Sequence, residues 1–392
     1  MTQYGRPVHI RLLKIMRNGL NQLADSLRRP VLNSSIVLVA GRASPAKISD
    51  IKERVQFLLA CIGVYRPIIV VPSCSISTYV RSQAIVVADS KAVPAFAREH
   101  ARWIADLDNE TNPMDGWALV DLARVFTSRT SQKRHERAGQ QALLERVKAL
   151  NADRSRPVYL FGTGPSLQLA ADRSFSDGLR IVCNTVVRDA QLWHHISPHF
   201  LVAGDAIYHF DNTAHARAFR ADALQRLTES DGATLFVYPA MFDVIVRREF
   251  RAVESLLVPI PWGEHTDVSV DLTRNFTIPP LGNVLCNLLL PLGCTLSKDI
   301  RLWGFDGRSP NDTGFWANSN RQAYPELMQS IRDAHPAFFS ALTPKGREEK
   351  YVEEVHGNVL DERLTEAENR GFSFRMLHHS WTPTLRKRYR AS

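Results

Sequence analysis

Short apolar runs alternate with helical patterns in the first part of the chain. The runs IVLVAG (36–41), IIVVPS (68–73) and AIVVADS (84–90) are rich in β-branched residues, and residues 48–59 and 92–107 repeat apolar positions at a helical spacing. Continuous apolar runs that alternate with helices are typical of parallel strands covered on both faces. The pattern predicts a small parallel α/β sheet in this part of the chain.

A second series of apolar runs begins after Arg156, with helical patterns between most of them. The charged helical stretch 128–153, which precedes the series, has no strand pattern. We therefore place a domain boundary near residue 150 and expect two tandem Rossmann-like α/β domains with mostly parallel sheets, 1–150 and 151–392. The predicted strands of the second domain are 157–162, 180–184, 199–205, 234–239, 255–260, 300–306 and 372–377.

The composition is that of a globular protein with a sizeable core. Of the 392 residues, 44% are hydrophobic, which suffices for two domains. No run approaches the roughly 20 apolar residues of a membrane span, and the N-terminus lacks a secretory signal, so we expect a cytoplasmic protein. Five cysteines without a CxxC pair are expected to be reduced, mostly buried thiols: Cys61, Cys74, Cys183, Cys286 and Cys294.

Basic residues outnumber acidic ones, 49 to 40, and the net charge of +9 favours anionic partners. Between Leu13 and Leu27, apolar residues recur at spacings of three and four among arginines and lysines. This predicts an amphipathic basic helix that either packs on its own domain or docks on a partner or on the anionic inner face of the cell membrane. The basic run 385–390 is either solvated basic surface or helps to hold the protein near the membrane. Because the basic residues are dispersed and no aromatic-basic pattern appears, we expect no nucleic-acid partner.

Polar residues and glycines follow several predicted strands of the second domain. Asn184 ends the second predicted strand, Asp205 the third, and Asp306 the late strand 300–306. Ligands of open α/β sheets bind beyond the carboxyl ends of the strands, so we expect these side chains at one site. The first strand runs into a turn of five residues that belong to the same expected site: Gly162, Thr163, Gly164, Pro165 and Ser166.

The turn GTGPS has two possible functions. Glycines let the backbone approach a ligand, and the N–H groups of the following helix can bind an anion such as a nucleotide phosphate. The turn is not a complete GxGxxG fingerprint and no Walker lysine follows it, so a plain connection from strand to helix fits as well. The turn PPLGN, with Gly282 and Asn283, opens an apolar helix and allows the same two interpretations.

Three further side chains are candidates for chemistry. Asp306 is followed by Gly307 and Arg308, so its carboxylate can be a nucleophile, a base or half of an ion pair. His335 and His356 lie on later irregular segments and can transfer protons or stay idle. No HExxH, no DxD of the kind that binds a nucleotide-sugar through a divalent ion and no Cys/His cluster appears, so we expect no metal.

Four segments together resemble the CMP-sugar-dependent transferases that include the bacterial sialyltransferases: VYLFGTGPSL, IVCN, LGNVLCNLLLPLGC and IRLWGFDGR. Residues 304–339 are similar to the bacterial β-Kdo transferases of surface polysaccharide assembly, which retain the anomeric configuration of the sugar. The resemblance covers residues 156–385. It implies a GT-B-like arrangement of the two domains, in which residues 1–150 bind the acceptor.

The resemblance also implies the substrates. The donor would be a CMP-linked ulosonic acid, CMP-Kdo above all, with no further cofactor, and the acceptor an oligosaccharide or a lipid-linked glycan. Residues 162–166, Asn184, Asp205, Gly282 and Asn283 would form the nucleotide site.

The implied chemistry centres on Asp306, which would attack the anomeric carbon and form a covalent adduct. The acceptor then displaces this adduct with net retention. His335 or His356 would assist by proton transfer. Arg308 would pair with the sugar carboxylate or with Asp306.

Three alternatives stay open at this point. The extended histidine signature of sialyltransferases is absent and only VHGN (355–358) stands in a comparable place, yet inverting transfer with a histidine base is one alternative. A pterin-alcohol pyrophosphokinase that uses ATP and magnesium is the second, because some proteins with a similar Gly-x-Gly-Pro-Ser domain have that activity. A glycan-assembly module without catalysis is the third.

Overall fold

The computed structural model describes residues 35–75, 82–94, 104–150, 154–264, 267–307, 309, 323–342 and 358–389. Both sheets in these ranges are parallel, one with four strands and one with seven. The α/β class and the Rossmann-like character predicted from the sequence are confirmed. The predicted N-terminal helix, Arg308 and His356 lie outside the described residues.

The smaller sheet has the strand order β2-β1-β3-β4. Its strands are β1 (Ile36–Val39), β2 (Ile68–Val71), β3 (Ala84–Val87) and β4 (Ile104–Asp106). The first three are the predicted ones. The helical prediction for 92–107 is wrong at its end, because Ile104 and Ala105 pair with Ile85 and Val86 of β3. A tertiary pairing here overrides the local apolar spacing.

Two helices cover this sheet, α1 (Pro45–Ile62) and α2 (Asp115–Phe126). Ser44 caps α1 by accepting the N–H of Lys47, a proline opens it, and Gly63 ends it with a φ of 74°. These are the residue types that favour helix starts and stops.

The larger sheet has the order β11-β10-β5-β6-β7-β8-β9. All seven predicted runs overlap a strand: β5 (Val158–Phe161), β6 (Leu179–Cys183), β7 (Phe200–Val202), β8 (Leu235–Pro239), β9 (Leu257–Ile260), β10 (Asp299–Trp303) and β11 (Ser373–Met376). The chain steps outward from β5 to β9 and then crosses to β10 on the other side of β5. The strand order therefore reverses between β5 and β10, which is where open α/β sheets form a ligand crevice.

Helices flank the larger sheet, and short 3-10 or π-helical turns follow β5, β6 and β7 directly. The turns are Pro165–Asp172, Asn184–Arg188 and Ala206–Phe210. The α-helices are α3 (Arg129–Ala149), α4 (Ala190–Ile196), α5 (Ala214–Glu229), α6 (Asp243–Glu249), α7 (Leu290–Leu296), α8 (Met328–Ala334), α9 (Pro336–Leu342), α10 (Asn358–Asn369) and α11 (Pro383–Lys387). No helix in the described ranges is long and apolar enough to cross a membrane.

The two sheets share one apolar core. Leu38 of β1, Leu119 of α2 and Phe161 of β5 belong to the same buried cluster. Helix α3 packs on β9, where a Cβ on Gly139 would lie 2.8 Å from Cδ of Pro259. A helix before residue 150 thus packs on the second sheet, and the boundary at 150 and the GT-B-like arrangement stay predictions.

The cysteines fit the prediction of reduced thiols. All five are free, and four of them are buried. Burial raises the pKa of Cys183, Cys286 and Cys294 to about 12. These thiols therefore stay protonated and unreactive at neutral pH.

Candidate functional site

A cavity of about 400 Å³ opens at the carboxyl ends of β5, β6, β7 and β10. Most of the predicted site residues meet here, although they come from five separate segments of the chain. Pro165, Ser166 and His335 are not among the residues that line it. The predicted residues that do line it are Gly162, Thr163, Gly164, Asn184, Asp205, Gly282, Asn283 and Asp306.

The glycine turn after β5 packs directly on the turn after β10. The N–H of Gly162 donates to the carbonyl of Trp303, and the N–H of Gly164 to the carbonyl of Gly304, both at 2.8 Å. A Cβ on Gly162 would lie 2.5 Å from the Gly304 oxygen, and Gly304 has a φ of 76°. The contact between the two turns is therefore a sufficient reason for glycine at these positions.

The carboxylate of Asp306 binds the start of the helical turn Pro165–Asp172. It accepts the N–H of Ser166 at 3.1 Å through Oδ1 and the Ser166 hydroxyl at 2.8 Å through Oδ2. A Cβ on Gly164 would overlap Oδ2 of Asp306. The N–H that was expected to meet a nucleotide phosphate is thus bound by a carboxylate of the protein itself, and a direct contact of Ser166 with a nucleotide stays a prediction.

His378 completes this group, and the sequence reasoning missed it. Its Nε2 accepts the N–H of Gly304 at 2.9 Å and lies 2.8 Å from Oγ of Ser166, while Nδ1 donates to the carbonyl of His379 at 2.7 Å. Burial lowers the pKa of His378, although the Asp306 carboxylate raises it. The imidazole is therefore neutral. His378 directly follows the predicted strand 372–377, so the rule that selected Asn184 could have selected it.

Asn184 and Gly282 have features that the fold does not require. Asn184 has a φ of 51°, which is unusual for a residue other than glycine. Its buried Oδ1 has no hydrogen-bond partner in the described ranges. A Cβ on Gly282 would meet no atom of the described residues within 4 Å. Asn283, beside it, caps the following helix by accepting the N–H of Leu285 at 2.8 Å.

Asp205 is the cavity residue with the most perturbed carboxyl group. Its Oδ1 accepts the N–H groups of Ile207 and Tyr208, both at 2.8 Å, and Oδ2 has no hydrogen-bond partner among the described residues. The loss of solvation at this half-buried position raises the pKa of Asp205 to about 6, although both N–H groups lower it. A carboxyl with such a pKa can take up and release a proton near neutral pH.

This raised pKa predicts a pH-dependent effect of Asp205→Asn on stability. Between about pH 4 and pH 6 the Asp205 carboxyl keeps its proton in the folded protein but has lost it in the unfolded chain. The wild type therefore has its full stability below pH 4 and loses part of it as the pH rises through about 6. Asparagine keeps the two backbone hydrogen bonds without the charge. In urea unfolding, the variant should gain about 2 to 3 kcal/mol over the wild type between pH 4 and pH 7.5. A difference that does not change with pH would contradict the assignment.

His335 lies in a buried ion network behind the cavity wall. Its Nδ1 is 2.9 Å from Asp115, and its Nε2 is 3.4 Å from Oδ2 of Asp211. The Arg54 guanidinium binds Asp115 at 2.9 Å and Asp211 at 2.7 Å, and all four side chains are at most 3% exposed. These contacts belong to a structural network, and proton transfer by His335 to a substrate stays a prediction.

The described lining of the cavity carries no lysine or arginine, and its charged side chains are the carboxylates of Asp205 and Asp306. The other side chains that line the cavity are largely apolar. Gly307 and Ala323 both line the cavity. In the described ranges, no group of three or more His, Cys, Asp or Glu side chains could hold a metal ion.

No protein-family model matches the sequence. No curated protein and no solved structure matches it either. What the cavity does has to be argued from its own residues.

Proposed function

We propose that the cavity binds a CMP-linked ulosonic acid of the Kdo class and that the protein transfers the sugar to a glycan hydroxyl. One observation carries the proposal: eight residues selected from strand ends and a helix start line one cavity, beside the point where the strand order reverses. Crevices at this point are the usual ligand sites of open parallel sheets.

Asn184 and Gly282 support a ligand in this cavity. The unpartnered Asn184 oxygen can accept a hydrogen bond from the cytosine amino group or a ribose hydroxyl, which would satisfy a buried polar atom. Gly282 leaves open space in front of the helical segment that begins near Leu285. Asn283 caps the N–H of Leu285 there, but Gly282 itself has no side chain to block a phosphate that approaches this helix start.

Asp306 is suited to covalent chemistry by its position. The hydroxyl of Ser166 holds Oδ2, and within the described ranges Oδ1 accepts only the more distant Ser166 N–H. In the proposed step, a carboxylate oxygen forms a bond to the anomeric carbon while the bond to CMP breaks, and CMP leaves with the electron pair. The acceptor oxygen then displaces the Asp306 carboxylate, and two inversions give net retention.

Nucleotide selectivity tests the proposal. CMP should raise the melting temperature of the protein, whereas UMP, GDP and ATP at the same concentration should not. Gly282→Ala should melt like the wild type without ligand, because its methyl group lies more than 4 Å from every atom of the part of the chain that the structure describes, but should lose most of the CMP-induced shift. Stabilisation by ATP with magnesium alone would overturn the proposal in favour of a pyrophosphokinase.

A further inference from the structure

The cavity has a second region beyond Asn184, at the end of β7. Asp205 lies here, and the residues opposite come from other parts of the chain: Trp117 from α2 and Phe338 from α9. Tyr208 lies in the turn that Asp205 begins. A helix that covers the smaller sheet and helical segments that follow strands of the larger sheet thus line the same pocket.

An aromatic wall bounds this region. The ring centroids of Trp117 and Phe338 are 6.1 Å apart, and those of Tyr208 and Phe338 are 6.3 Å apart at 69°. Phe338 is buried, whereas Trp117 and Tyr208 are half-buried and line the cavity. The packing behind them fixes both rings.

A fixed aromatic surface beside a carboxylate suits one face of a sugar ring. The C–H groups of a pyranose can lie on the rings of Trp117 and Tyr208, while a hydroxyl meets the carboxylate. Oδ1 of Asp205 is held by two backbone N–H groups, so Oδ2 is the oxygen left for that hydroxyl.

Resting on the proposed function, the geometry points to this region as the acceptor subsite: a sugar ring lies on Trp117 and Tyr208, and Asp205 accepts the proton of its attacking hydroxyl. In the transfer step, the acceptor oxygen forms its bond to the anomeric carbon. The bond from that carbon to the Asp306 oxygen breaks, and the Asp306 carboxylate leaves with the electron pair. The hydroxyl proton moves to Oδ2 of Asp205.

The histidines of this region are held by the protein. His215 lines the cavity beside Tyr208, its Nδ1 donates to the Tyr208 carbonyl at 3.0 Å, and burial lowers its pKa. His209 accepts the Asp205 N–H through Nδ1 at 3.2 Å, and burial keeps the pKa of His209 well below its usual value. His335 is held by Asp115 and lies behind the wall. A carboxyl with a pKa of about 6 is largely ionised at pH 7.5 and is still basic enough to accept a proton.

Two variants test the subsite by steady-state kinetics with a CMP-ulosonic acid and a glycan acceptor. Asp205→Asn should lower kcat by about 10²- to 10⁴-fold with little change in the KM for the donor. Trp117→Leu should raise the KM for the acceptor about tenfold, as expected for the loss of a ring contact, and leave the KM for the donor unchanged. The matched control is Asp189→Asn, which removes the charge of another helix-capping carboxylate outside the cavity. It should behave like the wild type.

The outcomes separate this inference from the proposed function. If the wild type transfers sugar but Asp205→Asn keeps its kcat, the assignment of the acceptor subsite is wrong and the proposed function stands. The same conclusion follows if both variants change only the KM for the donor. If the wild type neither binds CMP nor releases it from a donor, both are wrong. Asp205→Asn keeps both backbone hydrogen bonds and decides the question even if Trp117→Leu does not fold, and an unchanged CMP-induced melting shift confirms that the variant is intact.

Discussion

Asp306→Asn is expected to lower sugar transfer by at least about 10³-fold, as the loss of a nucleophile does, while CMP binding is preserved. The amide oxygen can still accept the N–H and hydroxyl hydrogens of Ser166, so the turn after β5 keeps its contacts. The amide lacks the charge needed to attack the anomeric carbon. The measurement pairs the rate of transfer with the CMP-induced melting shift of the same sample.

Mass spectrometry of the intact protein makes this prediction specific. With the donor alone, the wild type should gain the mass of one ulosonic acid residue, and Asp306→Asn should not. Asp177→Asn is the matched control, because Asp177 is an exposed carboxylate that contacts Tyr159 and Arg301 away from the cavity. Full activity of Asp306→Asn would show that Asp306 is a structural link and no nucleophile.

The second large effect is on stability. Arg54→Met should lower the free energy of unfolding by about 3 to 5 kcal/mol, because Asp115 and Asp211 would remain buried without their cation. The carboxylates of Asp115 and Asp211 raise the pKa of Arg54 against the effect of burial, so the guanidinium is charged at any ordinary pH. Urea unfolding at pH 7.5 measures the change.

A surface pair provides the control for this loss. Arg124 is 3.4 Å from Asp121, and both side chains are largely exposed. Arg124→Met should therefore change the free energy of unfolding by less than about 1 kcal/mol. If Arg54→Met costs no more than this control, the buried network does not stabilise the fold as described.

The sequence was sufficient for most of the fold because most strands, unlike β2 and β11, are buried on both faces. A strand such as β5 or β8 is a continuous apolar run, which is visible without any knowledge of its neighbours. The three-residue strand β4 was missed, because its apolar residues also fit a helical spacing. The order β11-β10-β5 depends on a chain crossing that local patterns do not contain.

Some features of the site could likewise be predicted from the sequence, and others could not. Asn184, Asp205 and Asp306 could be selected because each follows a strand, and the ends of parallel strands meet at one edge. The contact of Asp306 with Ser166 joins residues 140 positions apart. His335 and Asp115 are 220 positions apart. No local sequence pattern links Asp306 to Ser166 or His335 to Asp115. The sequence alone therefore could not show whether Asp306 and His335 act on a substrate or bind other parts of the protein.

Release of CMP tests the central claim most directly. Incubated with CMP-Kdo and a glycan acceptor in EDTA, the wild type should release one CMP for each sugar transferred, and the product should retain the anomeric configuration of a double displacement. Contradiction would come from a protein that releases no CMP from CMP-Kdo or a related CMP-ulosonic acid, or that becomes active only when ATP and magnesium are supplied.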